Sequence, residues 1–252
     1  MINNASIVLH FQTITDPASG DVYCVEALGR LKVDSGRMLY PSEFFPQMTR
    51  SDMVKFDISV ISQCLGLGAL WHQQRIKTKI SFNINGLCQA RQSCLIKILR
   101  TINLLVDTGK ISPSQFIIEI SEQTAFKCNK RARNYLDALR TLGFLIAIDD
   151  LGAENSTLER LCILKSDIIK LDISVAKQLL EPTTKHNTLS LIKAFGLYCK
   201  LTDQKLVVEG VESLEQHHSL VGLSDFEGLV QGFYYSRPVP ITTIEPQLIS
   251  CI

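Results

Sequence analysis

The sequence predicts an α/β protein, a modified (β/α)8 TIM-like barrel with an antiparallel first strand. Three observations predict it. Strand-like and helix-like segments alternate along the chain, the signature of parallel βα units. The 252 residues fit one barrel of ordinary size, although length alone would also allow two small domains. Seven apolar, β-branched runs each end in a polar residue able to do chemistry, which is how the C-terminal rim of such a barrel is furnished. Those runs lead to Glu26, Asn83, Glu119 with Glu122, Asp149 with Asp150, Lys170 with Asp172, Glu209 with Glu212, and Gln231.

Residues 6–13 and 21–28 are apolar runs separated by Asp-Pro-Ala-Ser-Gly and read as an antiparallel hairpin, a departure from eight identical βα units. Residues 55–70 carry a helix-compatible pattern, and 79–84 read as a strand. Between 89 and 106, Leu95, Ile98, Leu99, Ile102 and Leu105 recur at helical spacing, so one face should pack on the sheet. Pro113 interrupts before a strand at 115–120, and Tyr135, Leu136, Leu139 and Leu142 mark a helix within 124–142. Gly143 is placed to end that helix in the left-handed conformation, and a strand at 144–148 follows. Then come a short helix at 156–165, a strand at 167–171, a helix at 186–201 and a strand at 205–208. A helix at 212–221 with Gly222 at its end, a strand at 228–234 and a short terminal helix complete the series. No linker or low-complexity stretch divides the chain, so one domain over 1–252 is the expectation.

With 46% apolar residues the chain has material for a substantial core, and disorder is excluded. The net charge of +1 supplies no global field for a nucleic acid polymer or an anionic membrane, so an anionic ligand must be gripped locally. Eight cysteines without CxxC pairing read as reduced thiols, not a thiolate zinc site. No apolar run approaching the roughly 20 residues of a bilayer span stands out. The first residues lack the form of a secretory signal. A soluble, cytoplasmic chain is expected, whether whole or part of a longer one. His217 and His218 read as solvent-facing, and Trp71 as core.

Any one strand-end acid has a structural reading, since a buried carboxylate needs a partner. For Glu26 taken singly that reading is slightly favoured. The adjacent acids Asp149 and Asp150 shift the balance, because they repel each other unless a cation compensates. Lys170 is the one amine at a strand end and cannot neutralise Glu26, Glu119, Asp149, Asp150 and Glu209. Divalent cations can, and oxygen donors favour hard ions such as Mg2+ or Mn2+. Several bridging carboxylates suggest a pair of ions, which activates water for an in-line phosphodiester attack. Arg30 could hold a phosphate or make a surface salt bridge.

At these residues the chain resembles the EAL-domain family, bacterial phosphodiesterases that hydrolyse cyclic di-GMP to linear pGpG. The resemblance runs in order through Gly-Asp-Val-Tyr-Cys-Val-Glu-Ala-Leu-Gly-Arg, Phe-Asn-Ile-Asn, Glu-Ile-Ser-Glu, Asp-Asp-Leu-Gly, Ile-Ile-Lys-Leu-Asp, Val-Glu-Gly-Val-Glu and Val-Gln-Gly-Phe. It implies that Glu26, Asn83, Glu119, Asp149, Asp150 and Glu209 bind Mg2+ or Mn2+, with Asp149 bridging two ions. It assigns catalytic roles to Glu26, to Lys170 on the attacking water and to Glu209 as a base. Arg30 and Gln231 are implied as substrate contacts, and Glu122 and Glu212 as loop supports. Cyclic di-GMP as partner, a homodimer, and a part in motility or biofilm signalling follow from the same resemblance.

One segment departs from the family pattern: Asp-Asp-Leu-Gly-Ala-Glu-Asn-Ser-Thr-Leu stands where the family has DDFGTGYSSL. Glu154 replaces a glycine and puts a negative charge near the place of a phosphate or ion. Leu151 and Asn155 replace aromatics, and Leu31 the usual tryptophan. This departure motivates a second reading, a weak or inactive receptor or adaptor. A glycosidase using two acids is a third, which leaves Asn83 and Lys170 without a task.

Overall fold

The computed structural model describes residues 5–84, 86–87, 90–121, 130–153, 166–224 and 226–249. β1 (Ala5–Thr15) and β2 (Val22–Val33) form the antiparallel hairpin, with Gln12 opposite Glu26 in its register. Its turn is held by Asp16, whose carboxylate accepts the amides of Ala18 at 2.8 Å and Ser19 at 3.2 Å. This is the local competition that makes aspartate a turn residue.

β4 (Lys79–Asn83), β5 (Phe116–Ser121), β6 (Leu145–Leu151), β7 (Ile168–Leu171), β8 (Lys205–Val208) and β9 (Leu229–Val230) follow β2 as a parallel run. β9 then pairs with β1 at Thr15 and Val230, so eight strands close a ring in which only β1 runs against its neighbours. The predicted barrel and its antiparallel first strand are both present. A two-residue β3 (Met38–Leu39) is added at the edge of β2, outside the ring.

Strand periodicity sorts the side chains inside the ring into layers. Ile14, Cys24, Ile117, Ala147, Ile168, Val207 and Leu229 form one apolar cluster, a floor drawn from seven of the eight strands. Two residues along each of those strands, on the same face, stand Gln12, Glu26, Glu119, Asp149, Lys170, Glu209 and Gln231. The eighth strand supplies Ser81 to the lower level and Asn83 to the upper. An apolar floor thus lies directly beneath a polar layer.

Two further clusters pack outside the ring. The larger joins β1, β2, β4, β5 and β6 to α2 (Arg50–Gln74), α3 (Gln92–Asp107), α4 (Lys130–Thr141) and α8 (Ile241–Ile249), after a short α1 (Pro41–Phe44). The smaller joins β7 to β9 with α5 (Ile173–Lys177), α6 (Lys185–Leu201) and α7 (Leu214–Val221). As the periodicity predicts, Leu95 and Ile102 of α3 and Tyr135, Leu136 and Leu139 of α4 are buried. Gly143 takes φ +97, the left-handed conformation predicted for it. Gly222 ends α7 at φ −74, without a left-handed turn.

Several boundaries differ. α2 begins earlier than its apolar pattern, because Thr49 and Asp52 form a capping box. The last strand contracts to Leu229–Val230, since the chain turns at Gly232. The expected helix at 156–165, Glu122, Glu154 and Asn155 lie outside the described residues. By length and composition α2 is apolar enough to cross a membrane, which the sequence pattern did not single out. Its Phe56, Val60, Ile61, Cys64, Leu65 and Trp71 are buried against the barrel. Trp71 is core, as predicted, and donates to Glu245 of α8 at 3.0 Å. His217 is half-buried, contrary to expectation, with Nδ1 2.6 Å from the Tyr235 hydroxyl and its ring stacked on Tyr234. His218 is exposed. The described cysteines Cys24, Cys64, Cys94 and Cys199 are free thiols.

Candidate active site

Lys170 stands at the centre of the polar layer and is 1% exposed. Its Nζ lies 2.6 Å from Glu209 Oε1, 3.0 Å from Glu119 Oε2, 3.2 Å from Asp149 Oδ1 and 3.4 Å from Glu26 Oε2. Five strands therefore deliver one cation and four carboxylates to one point. Asn83 Nδ2 donates to Glu26 at 3.3 Å and Glu119 at 3.4 Å, and Gln231 Nε2 donates to Glu26 at 2.6 Å. Glu26, Asn83, Glu119, Asp149, Lys170, Glu209 and Gln231 thus converge as picked out in sequence, with Asp150 beside them, whereas Asp172 caps α5 by accepting the Ser174 amide at 2.9 Å.

Charge is unbalanced here. Burial works against ionised Lys170, but the surrounding Asp149, Glu119, Glu209 and Glu26 outweigh it and hold the ammonium well above its usual range. The acids respond in the opposite sense. Burial, with Glu26 next in weight, drives Glu119 well up, and burial raises Asp149 against the pull of Lys170. Glu209 is pushed by burial to about 8, and Asp150 by burial and the Asp149 charge to about 6. One amine is too little positive charge for this cluster, as the sequence indicated.

The donor set fits divalent ions. Carboxylate oxygens of Glu26, Glu119 and Asp149 lie within 4.8 Å of one another, and so do those of Asp149, Asp150 and Glu209. Asp149 belongs to both groups. Oxygen donors so arranged suit hard divalent cations. Asp150 is aimed by a left-handed backbone, φ +60, at a register shift between β6 and β7. The Asp150 amide caps Asp149 Oδ1 at 3.1 Å.

Arg30 is 6% exposed, not a surface ion pair. Its guanidinium lies over the Tyr40 ring at 5.1 Å, its Nη1 donates to the Gly29 carbonyl at 3.0 Å, and its Nε is buried without a partner. Among the described residues Gln231 Oε1 is likewise buried without a partner. Glu212 stands apart: it is exposed, and its backbone amide donates to Gln216 Oε1 at 2.8 Å. Gln12 was missed by the sequence reading. It is buried and lies 3.3 Å from Gln231. The signal existed, since Gln12 precedes the floor residue Ile14 by two positions in a strand that runs downward.

A barrel with an acid-rich, lysine-centred rim defines the class, and sequence comparison defines the family: the EAL domain profile matches residues 1–238, and the chain belongs to that family. The chain is 29% identical over 243 residues to the probable cyclic di-GMP phosphodiesterase PdeA of Escherichia coli, covering 95% of this chain and 31% of PdeA. The solved PaMucR phosphodiesterase in complex with c-di-GMP, from the MucR protein of Pseudomonas aeruginosa, superposes with TM-score 0.79, 26% identity and 94% of each chain covered. The Klebsiella pneumoniae BlrP1 manganese/cy-diGMP complex superposes with TM-score 0.73 at 25% identity, over 95% of this chain and 61% of BlrP1. The chain spans about a third of the length of the first curated relatives it matches.

Proposed function

We propose that this chain, as one barrel domain, hydrolyses cyclic di-GMP to linear pGpG with divalent ions held by Glu26, Asn83, Glu119, Asp149, Asp150 and Glu209. The observation that carries the reading is the pair of acid groups sharing Asp149, set around the single buried amine of Lys170. Mg2+ or Mn2+ bound there would supply the positive charge that activates water and offsets charge on the phosphodiester. Lys170 Nζ orients the water through a hydrogen bond, and Glu209, 2.6 Å from that nitrogen, takes its proton. The water oxygen forms a bond to phosphorus as the bond to the ribose 3′ oxygen breaks, and that oxygen takes a proton from solvent and leaves as a hydroxyl while Glu209 returns its proton to solvent. Arg30, whose Nε has no protein partner, pairs with a phosphate oxygen, and Gln231 Oε1 accepts a hydrogen bond from substrate. A homodimer in the cytoplasm, serving motility or biofilm control, belongs to the same reading.

The test is chromatographic: protein, cyclic di-GMP and Mn2+ or Mg2+, with EDTA and Glu26→Ala as controls. Formation of pGpG that both controls abolish is expected. Full activity in folded Glu26→Ala would sink the ion site. The altered segment after Asp150 favours the second reading, a receptor or adaptor. That reading predicts cyclic di-GMP binding by equilibrium dialysis without product, and activity on Glu154→Gly.

A further inference from the structure

Outside the ion site, one buried carboxylate has no cation beside it. Asp57, on the inner face of α2, is 6% exposed, and among the described residues it makes no ion pair. Its Oδ2 accepts the Leu87 amide at 2.8 Å. Burial pushes this carboxyl up to about 7, against the pull of the Leu87 amide. A bare buried acid is costly, so a second observation at the same place is informative. One helical turn earlier on the same face, Met53 lies against Gly86: a Cβ built on that glycine would fall 2.7 Å from the Met53 carbonyl carbon. Only glycine lets the loop backbone lie on the helix so closely.

The segment gripped this way leads out of β4 directly after Asn83. Ile84 donates its amide to the Glu119 carbonyl at 3.2 Å, and the Leu87 amide is shared with the Ile84 carbonyl at 3.1 Å. Ile84 and Leu87 are both buried. Helix α2 thus holds Gly86 and Leu87, the Leu87 amide is tied back to Ile84 next to Asn83, and Asn83 spans Glu26 and Glu119. We propose that Asp57 is a positioning residue for the ion site: its carboxylate clamps the Leu87 amide to α2 and so fixes the end of β4 that presents Asn83. The inference rests on the reading of Asn83 as an ion ligand. It assigns to the outer helix layer a part in ion binding that the polar rim alone does not disclose.

The test is Asp57→Leu, which keeps the approximate volume and removes the acceptor of the Leu87 amide. Gly86→Ala attacks the same clamp from the loop side. Amide exchange is followed on the metal-free proteins, and Mn2+ binding by calorimetry without nucleotide. In both variants the Leu87 amide should exchange faster while Ile80–Phe82 keep their protection, and Mn2+ affinity should fall about tenfold, the size typical for partners that support ligands. Unchanged Mn2+ affinity with the Leu87 amide released would overturn the proposal alone. So would uniform acceleration across the barrel strands, which would mark Asp57 as a general stability contact. A wild-type protein that binds no Mn2+ would instead overturn the ion-site reading, and this inference with it.

Discussion

Gln12 and Gln231 meet where the barrel closes. Gln231 Nε2 lies 3.3 Å from Gln12 Oε1 and 2.6 Å from Glu26 Oε2, while Gln12 Nε2 donates to the Ser236 carbonyl at 3.0 Å. The backbone ladder at this seam is a single pairing, Thr15 with Val230. Side-chain amides thus continue the closure that the ladder leaves short, and they set which way Gln231 faces.

Gln12→Ala should therefore cost more than a surface change. Removing one partner of buried amides typically costs about 1–3 kcal/mol. The expected result is a folded protein with a lower denaturation midpoint and reduced turnover, since Gln231 can rotate its amide. Wild-type stability and turnover together would show that Glu26 alone holds Gln231.

Lys170→Met removes the amine from four carboxylates and keeps its volume. Breaking a buried charge pair typically costs about 3–5 kcal/mol. With EDTA present the variant should melt well below wild type, and Mn2+ should recover part of the loss while turnover stays abolished. Equal melting temperatures in EDTA would mean that the acids carry no charge in the metal-free fold.

The polar layer was legible because an acid, amide or amine at the end of an apolar run is conspicuous. Glu26, Asn83, Glu119, Asp149, Lys170, Glu209 and Gln231 were all found that way. Gln12 escaped because β1 runs downward, so its polar residue comes before the floor residue and marks no strand end. Glu212 was drawn in by spacing, yet two residues past the turn at Gly210 the chain has left the rim and the side chain is exposed. His217 was misjudged because its partners, Tyr234 and Tyr235, lie on a segment brought alongside only by the fold. β3, α1 and α5 are too short to leave a periodic trace.

Stability of the metal-free protein should fall as pH rises. Glu209 at about 8, Asp150 at about 6, and the raised Glu119 and Asp149 each hold in the fold a proton that they release in the unfolded chain above the usual carboxylate range. The fold is therefore favoured most at the acid end of this window and loses that advantage up to about pH 8. Lys170, also raised, stays protonated in both states there and adds no slope. Urea midpoints in EDTA should decline from pH 5 to 8, and saturating Mn2+ should flatten the decline. A midpoint that rises with pH in EDTA would contradict the raised acids.

Gly210 follows Glu209 at φ +73, and a Cβ placed there would collide with Ile173 Cγ1 and lie 2.9 Å from its Cα. Gly36 has a similar φ, +82, but open space around it. The two positions separate backbone strain from crowding. Gly36→Ala should cost only the left-handed penalty, roughly 1–2 kcal/mol, with turnover unchanged. Gly210→Ala carries the same penalty and must also displace α5 or the Glu209 turn. Its midpoint should fall further, and Mn2+ binding should weaken because Glu209 shifts with it. Equal losses at the two glycines, with Mn2+ affinity intact, would show that α5 yields and that Glu209 is fixed by Lys170 rather than by its own turn.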